Sequence, residues 1–118
     1  MLLTVEHREI APATVVVSLA GKLMLGPESQ QIETLVLGSL SKGTRSFIFD
    51  LSGITRLDST GIGRFIFSYN KIAEAGGSLL MAGATGHVRD SFKVSRLDTV
   101  FRFYPDVAAA ARTLGVEV

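Results

Sequence analysis

Two short apolar runs, Arg45–Leu51 (RSFIFDL) and Ser78–Ala84 (SLLMAGA), separated by one amphipathic segment, restrict this chain's possible folds more than any other feature. Each run is nearly continuous in apolar residues and bounded by turn formers, the pattern of a strand covered on both faces. Between them Ile62, Phe65, Ile66, Tyr69, Ile72 and Ala73 recur at helical spacing, and Gly76-Gly77 supplies a stop. A strand that returns to a second strand through so long a crossover pairs with it in parallel, by a right-handed connection. That requires a layered α/β fold.

The flanking segments fill in the layers. Leu2–Ile10 and Ala13–Ala20 are rich in alternating or β-branched residues, and Ala11-Pro12 leaves room only for a tight turn, so these two strands pair antiparallel. Gly21–Gly26 breaks the pattern, and Pro27 with Glu28 suits the first turn of a helix. Ile32, Leu35, Val36 and Leu40 form its inner face, Gln30, Glu33 and Thr34 face outward, and Gly43 ends it. A shorter helix is predicted over Gly86–Val94, a brief strand over Thr99–Phe103, and a last helix over Pro105–Leu114 with Val107, Ala110, Ala111 and Leu114 inward. The expected fold is therefore α/β, with a mixed, mostly parallel five-stranded sheet, an antiparallel N-terminal edge strand and about four helices. With no repeat and no long linker, residues 1–118 read as a single domain.

A chain of 118 residues and 12.6 kDa can bury about two-thirds of its extended surface. Its 47% hydrophobic and 19% charged residues argue against disorder. Twelve Lys and Arg against eleven Asp and Glu create no broad positive field, so nucleic acid is not an expected partner. The absence of cysteine excludes disulfides and thiolate chemistry and agrees with a cytoplasmic location. The first residues, MLLTVEHREI, lack a signal-peptide pattern, and no uncharged run approaches a membrane span.

No catalytic set is visible. His7 and His87 have no carboxylate or second histidine at ligand spacing, so no metal is expected. Gly61-Ile62-Gly63 lacks the third glycine of a dinucleotide fingerprint, and Gly83-Ala84-Thr85-Gly86 lacks the lysine of a phosphate-binding loop. No nucleophile elbow occurs. The expectation is a protein that is not an enzyme and carries no cofactor.

The segment that stands apart is Leu57-Asp58-Ser59-Thr60-Gly61-Ile62-Gly63, set where a buried strand ends and an amphipathic helix begins. Asp58 or Ser59 suits an N-cap. Two glycines at a helix start cost about 1 kcal/mol each relative to alanine, which implies that something approaches closely. Together with Gly21-Lys22-Leu23, the Phe47-Ile48-Phe49-Asp50-Leu51 strand and Gly76-Gly77, this motif resembles the STAS domain, specifically the stand-alone bacterial anti-sigma factor antagonists, over essentially the whole chain.

The resemblance implies a regulator of transcription. The serine after the aspartate, Ser59, would be phosphorylated by an anti-sigma factor with serine kinase activity, and a serine phosphatase would reverse it. The unphosphorylated form would bind the anti-sigma factor and release the sigma factor. Leu23, Met24, Leu57, Asp58, Ser59, Thr60, Gly61 and Arg64 are the expected partner-binding residues, with Gly61 and Gly63 as structural glycines. A phosphate would add about −1.5 to −2 charges at a helix N-terminus that tolerates an anion, so the switch can act by bulk and charge at the interface without unfolding. Asp58 is expected to cap the helix and orient the Ser59 hydroxyl. Met24 stands where the family commonly has an acidic residue, which leaves Met24-Leu25 either an adaptable apolar contact or a seal for the helix. Arg56 and Arg64 flank the motif as candidate phosphate contacts. Two alternatives stay open: a docking module in a lipid-transport or stress-signalling assembly without phosphorylation, and an enzyme or small-ligand binder that uses the glycine-rich helix start as an anion site, with GTP or another nucleotide as candidate ligand. The expected oligomeric state is a monomer or weak dimer, without direct membrane insertion.

Overall fold

A computed structural model describes residues 3–118; Leu2, the predicted first residue of the first strand, lies outside the described residues. Five strands, β1 (Thr4–Ala11), β2 (Thr14–Leu23), β3 (Ser46–Leu57), β4 (Ser78–Ala82) and β5 (Arg102–Tyr104), form one sheet in sequential order. β1 and β2 are antiparallel and every other neighbouring pair is parallel. Four α-helices connect or follow them: α1 (Gln30–Ser41), α2 (Ser59–Glu74), α3 (Gly86–Val94) and α4 (Val107–Thr113). Architecture and pairing sense are as predicted.

Alternation along the strands divides the core between two faces. Val15, Val17, Phe47, Phe49, Leu79 and Met81 point into a large cluster roofed by α1, α2 and α3 through Ile32, Val36, Phe65, Ile72, Val88 and Phe92. Val16, Ile48 and Leu80 point the other way and meet Ala110 and Ala111 of α4. The near-continuous apolarity of the runs has this cause, because both faces of β2, β3 and β4 are covered. Phe49, Phe65 and Phe92 stack in series at 5.7 and 5.6 Å between ring centroids, which ties α2 and α3 to β3 and to each other.

Several boundaries differ from expectation. β2 runs through Gly21 to Leu23, and β3 runs through Ser52-Gly53 to Leu57, because the two strands continue to pair beyond the predicted breaks. Two register shifts, between Ser18 and Ala20 and between Gly21 and Lys22, absorb the extra β3 residues. Asp50 supports the first by accepting from the Ser52 backbone N–H at 3.1 Å and hydroxyl at 2.8 Å. Gly53 is needed there, since an added Cβ would lie 2.8 Å from the Leu19 carbonyl oxygen. β4 stops at Ala82, before the predicted Ala84, and β5 begins at Arg102 after a single 3-10 turn over Leu97–Thr99. Pro27 opens a 3-10 turn, Pro27–Ser29, ahead of α1.

The buried face of α2 also shifts. Ile66 and Ala73 are exposed, while Gly61, Phe65, Ser68 and Ile72 face inward. Ser68 takes an apolar residue's place because its hydroxyl donates to the Arg64 carbonyl at 2.8 Å and is satisfied within the helix. Glu33, expected outward, turns toward α2.

Candidate functional site at the start of α2

The second half of β3 delivers the chain to the carboxyl end of the parallel strands, where Asp58 adopts an extended conformation (φ −114°, ψ −175°) and α2 begins. Asp58 Oδ1 accepts from the Gly61 backbone N–H at 3.0 Å, an N-cap bond that satisfies an otherwise orphan donor. Its second oxygen, Oδ2, accepts from the Leu25 backbone N–H at 3.0 Å. The Asp58 N–H donates to the Leu23 carbonyl at 3.3 Å. One carboxylate therefore fastens the β2–α1 loop to the start of α2. The expected cap is present, whereas among the described residues neither Asp58 oxygen bonds the Ser59 hydroxyl.

Replacing Asp58 with alanine removes both bonds. We expect a loss of about 1–2 kcal/mol in chemical denaturation, and faster hydrogen exchange at the Leu25 amide than at any core strand amide.

Ser59 is the first residue of α2 and is exposed; Thr60 and Leu57 are half-buried beside it. Gly61 is buried, and an added Cβ would lie 2.5 Å from the Leu23 carbonyl oxygen and 2.6 Å from Leu57 Cδ1. Here the glycine permits the close approach that the motif suggested. Gly63 does not: nothing lies within 4 Å of its Cβ position, so it is a bare surface position with no packing requirement.

Two other predicted partner residues serve inside the fold. Leu23 is 0% exposed and belongs to the core, so its side chain cannot meet a partner. Arg64 donates to Glu33 Oε2 at 2.8 Å and to the Ser29 hydroxyl at 3.0 Å, binding α2 to α1. Its guanidinium is engaged there. Arg56 is exposed. By contrast Met24 is 39% and Leu25 82% exposed, so this apolar pair lies on the surface instead of sealing α1.

A groove of about 480 Å³ opens beside Ser59, between the start of α2 (Leu57, Asp58, Ser59, Ile62) and α3 (His87, Asp90, Ser91, Val94). Val94 stands 86% exposed. Sequence reasoning did not assign α3 to the site. One signal was available, since Val88 and Phe92 define the buried stripe of α3 and Val94 falls off it, leaving an apolar side chain with nothing of its own chain to cover it. A second hollow, of about 570 Å³ and lined by His7, Arg8, Lys42 and Thr44, lies at the opposite end of the sheet.

The combination is an exposed serine at the N-terminus of a helix whose start Asp58 caps and ties to the β2–α1 loop, with Val94 exposed in the same groove. It can accept a phosphoryl group without disturbing an internal bond, and it can present a small, partly apolar surface to a protein.

Known structures share this architecture. A Thermotoga maritima protein provisionally assigned as an anti-sigma factor antagonist superposes with a TM-score of 0.85 at 18% identity, covering 94% of each chain. An anti-sigma factor antagonist from Mycobacterium paratuberculosis gives 0.80 at 21% identity, covering 97% of this chain and 95% of its own. The Bacillus cell fate determinant SpoIIAA, in its phosphorylated form, gives 0.75 at 19% identity, covering 93% and 99%. Identities this low speak for the fold, and the family follows from the sequence itself, which matches the STAS domain model over residues 4–110. Strand order, the capped start of α2 and that match together place the chain in the STAS domain family.

Proposed function

We propose that this chain is a non-enzymatic anti-sigma factor antagonist whose unphosphorylated form binds an anti-sigma factor of the serine kinase type, and that phosphorylation of Ser59 switches binding off. The observation that carries this reading is the placement of Ser59: exposed, first in α2, lining one groove with the exposed Val94, and next in sequence to Asp58, which bonds the backbone of the exposed Leu25. Similarity in fold to anti-sigma factor antagonists supports the general role. The partner would cover Met24, Leu57, Ser59 and Thr60 together with the α3 side of the groove. A phosphate on Ser59 would be tolerated by the α2 dipole but would place bulk and charge in the centre of that contact. A serine phosphatase would restore the binding form.

A docking module working without phosphorylation is the second reading, because Leu25 and Val94 are exposed apolar groups in the unmodified chain. Phosphopeptide analysis of the protein taken from its native cells separates the two. Cleavage after Arg56 and Arg64 isolates Leu57–Arg64, whose only hydroxyls are on Ser59 and Thr60. We expect a gain of about 80 Da on Ser59 that varies with growth conditions. Its absence under all conditions would transfer the assignment to the docking module.

A further inference from the structure

β1 is an edge strand with one open side. Among the described residues it pairs only with β2, in a regular antiparallel register from Thr4↔Ala20 to Glu9↔Val15, with a shift following between Glu9 and Ala11. Glu6, His7, Arg8 and Glu9 are all exposed, and among the described residues none of them takes part in an ion pair. Charge on an edge strand ordinarily prevents strand addition. Here the order of the charges leaves one addition open.

Two copies of a strand joined antiparallel across a twofold axis pair residues of the same face, so the ladder must be centred on a single residue. Centring on Glu6, Arg8 or Glu9 sets that charge directly against its own copy, which is destabilising. Centring on Val5 engages only the three residues Thr4–Glu6 of the strand, and centring on Ile10 runs into the register shift and Pro12. Centring on His7 uses the regular stretch from Val5 to Glu9. It places Glu6 opposite Arg8 of the second copy and Arg8 opposite Glu6, on the sheet face shared with Ile10, and leaves His7, instead of a carboxylate or guanidinium, against its copy.

We propose that the chain forms a twofold homodimer by antiparallel β1 pairing centred on His7, in which two reciprocal Glu6–Arg8 contacts select the register and the two sheets join into one. The ladder is short and its charge pairs are solvent-exposed, so the dimer is weak, concentration-dependent and loosened by salt. It uses none of the residues around Ser59, so each dimer carries two such sites.

Sedimentation equilibrium at low ionic strength and pH 7.5, from about 10 µM to about 1 mM, tests the pairing by mass action. The native chain is expected to rise from one to two chains in mass across this range. Arg8→Glu alone and Glu6→Arg alone each set like charges opposite one another twice, and each is expected to weaken the dimer at least about tenfold. The double variant Glu6→Arg/Arg8→Glu restores opposite pairs and is expected to dimerise like the native chain. Both positions are exposed, so circular dichroism and melting should be unchanged throughout. A native chain that stays monomeric over the whole range overturns the proposal. So do single variants that dimerise normally, or a double variant that remains monomeric where the native chain pairs.

Discussion

On the proposed function, replacing Ser59 with aspartate is expected to weaken binding of the proposed anti-sigma factor partner more than a hundredfold while leaving the melting temperature of the isolated chain nearly unchanged. The two halves have separate physical causes. Ser59 is exposed, and its hydroxyl makes no hydrogen bond among the described residues, so no internal contact is lost. A carboxylate at the first position of α2 meets the positive end of the helix dipole, which is worth about 0.3–1 kcal/mol in its favour and offsets repulsion from Asp58. In the proposed complex the same carboxylate would be buried against a partner surface that receives a neutral hydroxyl. A penalty of about 3 kcal/mol for such a mismatch corresponds to more than two decades in affinity. Ser59→Ala separates size from charge: it should bind about as the native chain does but resist the kinase. Calorimetric titration of the kinase-type anti-sigma factor with the three proteins, beside melting curves for each, makes the comparison. Native affinity in Ser59→Asp would remove Ser59 from the interface.

The largest effect on stability is expected from Gly61→Ala, with Gly63→Ala changing in the opposite direction. At Gly61 the added Cβ would lie 2.5 Å from the Leu23 carbonyl oxygen, 2.6 Å from Leu57 Cδ1 and 2.9 Å from Leu23 Cγ. The carbonyl is backbone at the end of β2, so α2 and that strand end must separate. With three contacts under 3 Å, one of them to backbone, the cost lies at the upper end of the usual overpacking range, about 3 kcal/mol. The helix preference of alanine returns only about 1 kcal/mol. We expect a net loss of about 2 kcal/mol, a fall of roughly 8 °C in melting temperature. At Gly63 the new methyl meets nothing within 4 Å and φ is not positive, so only the helix preference acts. A gain of up to about 1 kcal/mol is expected there. Thermal and urea unfolding of the two variants reads both signs. A stabilised Gly63→Ala that also lost partner affinity would show that the bare surface at Gly63 is kept for the partner.

The site was legible in the sequence where local chemistry sets it. Asp58 precedes a helical stripe at a capping position, and Ser59 follows it with nowhere to be buried. What escaped is what depends on distant segments meeting. That Asp58 also holds Leu25, and that Arg64 is spent on Glu33 and Ser29, needs α1, α2 and the β2–α1 loop in their relative places. Leu23 was expected among the partner-binding residues from the family resemblance, yet β2 continues through Gly21 and carries it into the core. Likewise the two glycines looked equivalent along the chain, and only the passage of the β2 end beneath Gly61 distinguishes them.

Periodicity alone carried the strand and helix order, the parallel crossover and the antiparallel β1–β2 hairpin, because each follows from which residues must leave water and from how far a short link can reach. Strand ends, the true inner face of α2 and the membership of α3 in the Ser59 groove came from tertiary packing. A backbone hydrogen-bond ladder runs as far as its neighbour permits, whatever the propensity of a Ser-Gly pair. A helix turns toward the surface it is given, so Ser68 is buried and Ile66 is not. A groove belongs to two elements at once, and no single segment of sequence contains it.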